Sequence, residues 1–270
     1  RVALAAPGYP AYRNILAALN LEAVDLPTSA ADRFQPTIAA LEKAGRIDGL
    51  ILASPSNPTG TMVGHAEMKE LARWCDRNGV RLISDEIYHG ITYGQAVTTA
   101  AGEGTDAIVI NSFSKYFSMT GWRLGWLVTP ASLTETMGKL IEFNTSCAPV
   151  FAQRAALAAL EHTEQITLPL VAHLRNCRDT LVRLLNDIPG MQAAAAPAGM
   201  YVFFKLPGFD DGVEVAKRLV LEAGLGLAPG EAFGDASKGW LRWCFASKDL
   251  GRLEEGVHRL SQWYRAHGPI

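Results

Sequence analysis

Cysteine and histidine are both scarce in this chain, and neither forms a cluster. The 270 residues include six histidines and four cysteines, the latter at Cys75, Cys147, Cys177 and Cys244. The cysteines are far apart and no pair has the spacing of a metal-ligand motif, which fits a reducing compartment, so we expect a cytoplasmic protein. His89 follows two carboxylates, Asp85 and Glu86, but adjacent residues of a strand point to opposite faces. We therefore predict no metal site.

The chain also lacks an excess of one charge and a long apolar run. Its formal net charge is −2, so it has no basic excess of the kind that binds nucleic acid. The longest apolar stretch, near residues 193–204, is too short to span a bilayer and contains Pro197 and Gly199. We expect neither a nucleic-acid partner nor a membrane partner.

The fold class follows from the apolar patterning. Hydrophobic residues make up 49% of the chain, enough for a large core or two domains. Short apolar runs alternate with helical stretches in the first half, which predicts an α/β domain with a mostly parallel sheet flanked by helices. The predicted strands lie near Val2, Leu50, Leu82, Ile108 and Leu127. The predicted helices cover residues 65–77, 130–142, 149–187, 213–223 and a final stretch from 249.

We divide the chain at residue 150. Residues 1–150 would form a large cofactor-binding domain, and residues 151–270 would form connecting helices and a smaller C-terminal α+β domain. The smaller domain is expected to have two strands in all, which flank the helix at residues 213–223.

Residues 112–123 bring together more potential catalytic and binding side chains than any other segment of the sequence. Lys115 follows Ser112 and Ser114, and Arg123 comes eight residues later. The runs on either side, residues 107–111 and 124–128, have the composition of buried strands, so Lys115 would lie on a loop between them. Two hydroxyls and a guanidinium suit a phosphate, and an amine can condense with a carbonyl. This combination points to a ligand that carries both groups.

Two further motifs follow predicted strands. Asn57 precedes Pro58, which holds its backbone extended at the carboxyl end of a strand. Asp85 and Tyr88 end the next strand, where a carboxylate is costly unless it has a cationic partner. A protonated pyridine nitrogen would be such a partner, although Asp85 could instead cap a following helix.

Together these motifs resemble the pyridoxal-phosphate aminotransferases of class I and II, which have the aspartate aminotransferase fold. Each motif is weak alone, but their order and intervals match the family over nearly the whole chain. The matching segments are residues 7–12, 57–60, 85–88, 112–123, 199–204 and 240–246.

The resemblance implies a role for each matching residue. Lys115 would form the internal aldimine with pyridoxal 5′-phosphate and later move the substrate proton. Asp85 would pair with the ring nitrogen, and Tyr9 would stack on the ring face. The remaining cofactor contacts would be Tyr88 and Asn57 on the phenolic oxygen, and Ser112, Ser114 and Arg123 on the phosphate.

The substrate side of the site would be formed by Arg242 and Asn57. The guanidinium of Arg242 would bind the α-carboxylate of an amino acid or 2-oxo acid by a bidentate fork. A surface arginine on an edge strand is the competing interpretation. Its apolar neighbours Leu241, Trp243 and Phe245 favour burial, and a buried arginine needs an anion.

The resemblance also implies a longer chain. Family members have a segment before residues 7–12 that carries a glycine-rich phosphate loop and an arm reaching a partner subunit. This sequence starts at Arg1, at what resembles a mid-domain strand, so we expect a fragment of a homodimeric enzyme. One flank of its core should then be uncovered and apolar.

Three functions remain open from the sequence. The first is an amino acid:2-oxo acid aminotransferase. The second is a pyridoxal-phosphate-dependent lyase on the same fold, which would share every cofactor contact. The third is a non-catalytic ligand domain of a transcription regulator, which would need a DNA-binding segment upstream.

Overall fold

The larger of two sheets has six strands in the order β2-β1-β3-β4-β5-β6. In the computed structural model, which describes residues 1–102 and 106–268, β1 to β5 are parallel and only β6 runs antiparallel, beside β5. The strands are β1 (Val2–Ala6), β2 (Ala23–Pro27), β3 (Gly49–Ala53), β4 (Arg81–Asp85), β5 (Ile108–Ser112) and β6 (Gly125–Val128). The expected mostly parallel α/β sheet is confirmed.

Three helices connect the first four of these strands in sequence. They are α1 (Pro10–Ala18), α2 (Ile38–Lys43) and α3 (His65–Arg77). On α3 the buried residues recur at spacings of three and four, so one face packs against strands β3 and β4: Met68, Leu71, Ala72 and Cys75. Leu50, Leu52 and Leu82 supply the strand side of that core.

The described part of the second half has five α-helices and a small sheet. The helices α4 (Ala131–Thr145), α5 (Val150–Glu161) and α6 (Thr163–Asn186) precede the sheet, and α7 (Gly212–Ala223) and α8 (Leu250–His267) pack on it. The sheet has the order β7-β9-β8, with β7 (Tyr201–Lys205), β8 (Ala228–Pro229) and β9 (Trp240–Cys244) all antiparallel to their neighbours. Its core includes Leu181 of α6, Phe204 of β7 and Leu260 of α8, all fully buried.

Three expectations about elements were incomplete or wrong. The continuous helix at residues 149–187 is two helices, because the chain turns at His162, whose φ of −113° is not helical. The elements α1, α2 and β2 were not foreseen. The strand at residues 124–128 was expected to be buried, but every residue of β6 is exposed. It lies at the edge of the sheet, with a strand on one side only.

The domain boundary at residue 150 falls at the start of α5, between the two sheets, and stays a prediction. Residues 103–105, in the first predicted domain, and residues 269–270, at the end of the second, lie outside the described residues. No helix among the described residues is both long enough and apolar enough to cross a membrane.

Candidate active site

One cavity of about 410 Å³ lies at the carboxyl ends of β3, β4 and β5. Parallel strands in register bring their ends to one edge, here with Ala53 of β3 beside Asp85 of β4. All nine residues that the sequence singled out line this cavity: Tyr9, Asn57, Asp85, Tyr88, Ser112, Ser114, Lys115, Arg123 and Arg242. Residues up to 233 positions apart in sequence therefore meet in one site.

The loop between β5 and β6 forms one wall. The hydroxyl oxygen of Ser112 lies 2.9 Å from that of Ser114, and it accepts a hydrogen bond from the Ser114 amide at 3.0 Å. The turn returns through a short 3-10 helix, Thr120–Trp122, to Arg123, whose φ of 52° is left-handed. Arg123 donates to the carbonyl oxygen of Thr120 at 2.9 Å. This geometry gathers two hydroxyls, Lys115 and a guanidinium around one side of the cavity.

Asp85 ends β4 with both carboxylate oxygens engaged. One oxygen accepts the Ile87 amide at 3.1 Å, and the other accepts a hydrogen bond from the Tyr12 hydroxyl. A turn follows Asp85, so the residue is not a helix cap. Burial, followed by the Asp85 charge, raises the pKa of Tyr12, which therefore keeps its proton and donates it.

Tyr12 is a site residue that the sequence reasoning missed. It lies in the first turn of α1, three residues after Tyr9, and the two rings meet edge to face with centroids 5.4 Å apart. Tyr9 is the N-cap residue just before α1, so the two tyrosines lie at the start of the same helix. The three-residue spacing was visible in the sequence and could have identified Tyr12.

The neighbouring Glu86 lies just after the end of β4 and contacts a different set of residues. It is buried and accepts hydrogen bonds from Ser84 at 3.0 Å, Thr99 at 3.1 Å and the Ala100 amide at 2.7 Å. His89 lies 3.2 Å from its carboxylate. Burial lowers the pKa of His89, although Glu86 acts to raise it. No group of three potential metal ligands was found within residues 1–102 and 106–268.

Arg242 occupies the middle strand of the small sheet, not an edge. One of its Nη atoms donates to Asn57 Oδ1 at 2.8 Å. Its guanidinium lies 4.5 Å from the ring centre of Tyr201 and 4.9 Å from that of Phe233. Its Nε atom is buried without a hydrogen-bond partner. A buried donor left unpaired is costly, so the geometry favours an incoming anion.

The turn that carries Asn57 is held against the second half of the chain. Gly60 has a φ of +68°, and a Cβ there would lie 2.5 Å from the carbonyl oxygen of Ala198. Only glycine fits such an approach without a shift of the backbone. The contact brings Asn57 to Arg242 across 185 residues of sequence.

Tyr88 and Tyr201 form the remaining polar pair. Their hydroxyl oxygens lie 2.8 Å apart, and both residues are buried and line the cavity. Tyr201 was not identified from the sequence, because a tyrosine in an apolar strand usually indicates packing. Thr120, whose hydroxyl donates to the Ser114 carbonyl oxygen at 2.9 Å, was also missed.

The chain is similar to known proteins over most of its length. A family model described as "Aminotransferase class I and II" matches residues 1–260. The chain is 40% identical to the valine–pyruvate aminotransferase of Mycobacterium tuberculosis, over 97% of this chain and 69% of that protein. It is 33% identical to the aspartate aminotransferase of Thermotoga maritima, over 85% of this chain and 60% of that protein.

Solved aminotransferase structures share the fold of this chain. A crystal structure of an aminotransferase from Mycobacterium tuberculosis superposes with a TM-score of 0.92 at 39% identity, over 99% of this chain and 70% of that one. The aromatic aminotransferase of Pyrococcus horikoshii also superposes with a TM-score of 0.92, at 28% identity, over 98% of this chain and 73% of that one.

Proposed function

Since the chain belongs to the class I and II aminotransferases, we propose a specific role in transamination for each of the nine predicted residues that line the cavity. The protein is a pyridoxal-phosphate-dependent transaminase, and its own residues fit that cofactor. The hydroxyls of Ser112 and Ser114 and the guanidinium of Arg123 match a phosphate. Lys115 supplies the amine, and Asp85 supplies a carboxylate for a protonated ring nitrogen.

The remaining side chains divide between the cofactor and the substrate. Tyr9 offers an aromatic face, and Tyr88 offers a buried hydroxyl to the phenolic oxygen, a role that Asn57 shares. When bound, the cofactor supplies an electron sink for the negative charge that forms at the substrate α-carbon. Lys115 Nζ would take the proton from that carbon and would donate it again to complete the transfer.

The buried, unpartnered Nε of Arg242 is the observation that carries the substrate assignment. An α-carboxylate would satisfy this nitrogen and share the guanidinium with Asn57. Arg242 and Lys115 line the same cavity, so a substrate held by its carboxylate can present its α-carbon to the amine. Every amino acid and 2-oxo acid substrate has this carboxylate.

We propose further that the amino donor has a neutral side chain and that pyruvate is an acceptor. The cations of the described cavity lining are Lys115, Arg123 and Arg242, and each already has a role. None remains for the distal carboxylate of a dicarboxylic substrate. The Mycobacterium tuberculosis relative, 40% identical, is named for valine and pyruvate.

Single-turnover half-reactions test this proposal. The protein loaded with pyridoxal phosphate would be mixed with L-valine, L-phenylalanine or L-aspartate, and absorbance and the released 2-oxo acid would be followed. Conversion should be faster with the neutral donors, with one oxo acid released per cofactor converted. Release of carbon dioxide or ammonia without that stoichiometry would indicate a lyase instead. Preference for aspartate would contradict the neutral-substrate proposal.

We also propose that the protein acts as a homodimer in the cytoplasm. The support is the set of exposed apolar residues around β6 and the presence of four free cysteines among the described residues. Light scattering after size-exclusion chromatography would give the mass in solution. A monodisperse monomer that turns over substrate would contradict the dimer.

A further inference from the structure

Tyr201, the first residue of β7, contacts both halves of the cavity. Its hydroxyl oxygen lies 2.8 Å from that of Tyr88, on the cofactor side. Its ring lies beneath the Arg242 guanidinium, 4.5 Å away, on the substrate side. The Tyr88 and Tyr201 rings meet edge to face with centroids 5.9 Å apart. One buried side chain therefore connects the residue proposed for the phenolic oxygen to the residue proposed for the carboxylate.

Either hydroxyl could donate in the hydrogen bond between Tyr201 and Tyr88, and the charge of Arg242 favours Tyr201 as the donor. Burial raises the pKa of Tyr201, while the hydrogen bond to Tyr88 and the Arg242 charge act to lower it. A cation on its ring face makes the Tyr201 phenol a better donor. If Tyr201 donates to the Tyr88 oxygen, the Tyr88 proton is free to point into the cavity. Consecutive hydrogen bonds polarise one another, so the bond from Tyr201 strengthens the one that Tyr88 donates.

The other titratable groups near the pair do not supply that bias. Asp85 and Cys244 act on Tyr88, and Cys244 and Tyr9 act on Tyr201. All of them are neutral or anionic, and each raises the pKa of the phenol it faces. Arg242 is the group that favours donation by Tyr201, and a bound carboxylate would neutralise it.

We propose that Tyr201 is a positioning residue that couples substrate binding at Arg242 to the hydrogen bond that Tyr88 donates into the cavity. When no carboxylate is bound, Arg242 favours the hydrogen bond that Tyr201 donates to Tyr88. The Tyr88 proton then points into the cavity and lowers the proton affinity of a cofactor held beside it. A carboxylate bound to Arg242 weakens these two hydrogen bonds and so raises the proton affinity of the cofactor. The inference rests on the proposed function of the cavity.

The test is a pH titration of the absorbance of bound pyridoxal phosphate, with and without isovalerate. Isovalerate has a carboxylate and an apolar side chain but no amino group to react. In the wild type, isovalerate should raise the apparent pKa of the bound cofactor. Tyr201→Phe keeps the ring and removes the hydroxyl. It should raise the apparent pKa of the unliganded protein by roughly half to one unit, the equivalent of one hydrogen bond, and at least halve the shift caused by isovalerate.

The chain provides a matched control. Tyr93 also carries a guanidinium over its ring, with Arg178 at 4.3 Å, and its hydroxyl donates to the Gly199 carbonyl oxygen at 2.7 Å, but it does not line the cavity. Tyr93→Phe should leave the titration unchanged. In a Tyr88→Phe background, Tyr201→Phe should add no further shift, because the connection passes through the Tyr88 oxygen.

Several outcomes would overturn the proposal. One is that Tyr201→Phe leaves the cofactor titration unchanged. Another is that Tyr201→Phe shifts the apparent pKa of the cofactor as much in the Tyr88→Phe background as in the wild type. A wild type whose apparent pKa does not respond to bound isovalerate would overturn it without any variant, which covers the case in which Tyr201→Phe fails to fold. In all three cases the cofactor is bound and visible. Failure of the proposed function would differ, since the cofactor would then attach at a residue other than Lys115.

Discussion

At the scale of single residues, the surroundings of Arg242 define what the cavity can bind. The guanidinium lies over the ring of Tyr201 and over that of Phe233, and it is hydrogen-bonded to Asn57. Stacking and a fixed hydrogen bond hold the planar group in one orientation. An ammonium group has neither the plane nor the fork, so lysine cannot reproduce these contacts.

Arg242→Lys should therefore weaken productive binding of every amino acid substrate. We expect a loss of roughly 2–5 kcal/mol in kcat/KM, as for a charge pair truncated in a dry site. Steady-state kinetics with several amino acids would measure it. The control is Arg178→Lys, because Arg178 also lies over a tyrosine ring but outside the cavity. A loss limited to one class of substrate would mean that Arg242 recognises a side chain.

Lys115 is the second residue for which the site makes a sharp prediction. Lys115→Ala should abolish turnover, because the other side chains of the described lining include no second amine. Some cofactor should still bind through the hydroxyls and Arg123. Borohydride reduction of the wild type followed by peptide mapping should place the cofactor on Lys115. Lys139→Ala, on an exposed ion pair with Glu135, should keep full activity.

At the scale of elements, the N-terminus of α3 shows how one side chain supports a helix behind the site. Glu67 accepts the Gly64 amide at 2.9 Å and pairs with Arg33. Both contacts hold the pKa of Glu67 below its usual range, with the Arg33 hydrogen bond as the larger cause. A carboxylate in the first turn of a helix also offsets the helix dipole.

The stabilisation from Glu67 should depend on pH in a defined direction. Its pKa is lowered in the folded state, so the contribution is complete above the unfolded pKa, near 4.5, and is lost as pH falls below it. Glu67→Gln should cost at most about 1 kcal/mol at neutral pH, since the group is half exposed, and less at acidic pH. Urea unfolding at several pH values would test this. Glu135→Gln, in an exposed ion pair, should cost less.

At the scale of the whole molecule, the apolar surface is unevenly distributed. Most of the exposed large apolar side chains of residues 1–102 and 106–268 lie between Ile110 and Leu168. They include Trp126, Leu127 and Val128 of the edge strand β6 and Phe143 of α4, which is 87% exposed. An exposed apolar surface of this kind favours association.

Phe143→Ser should reduce self-association of the protein without changing its unfolding free energy by more than about 0.5 kcal/mol. Sedimentation velocity over a range of concentrations would measure the association. Leu221→Ser is the matched control, since Leu221 of α7 is 84% exposed but lies outside the residue 110–168 region. Equal effects of the two substitutions would show that the location of the apolar surface does not matter.

The sequence by itself determined the α/β class, the helix at residues 65–77, and nine residues that line one cavity. These came from local signals, such as a lysine after two serines or a carboxylate at a strand end. Such local signals predict a shared site because parallel strands bring their carboxyl ends, and the residues that follow them, to one edge of the sheet.

Only the tertiary structure decided which residues complete the site and which strand stays uncovered. Tyr12 and Tyr201 act through contacts with partners 73 and 113 residues away, and neither partner is evident from local pattern. The strand β6 has the composition of a buried strand, yet burial depends on neighbours that composition does not specify. The pairing of Arg242 with Asn57 likewise arises from the packing of the Gly60 turn against Ala198, a contact between distant parts of the chain.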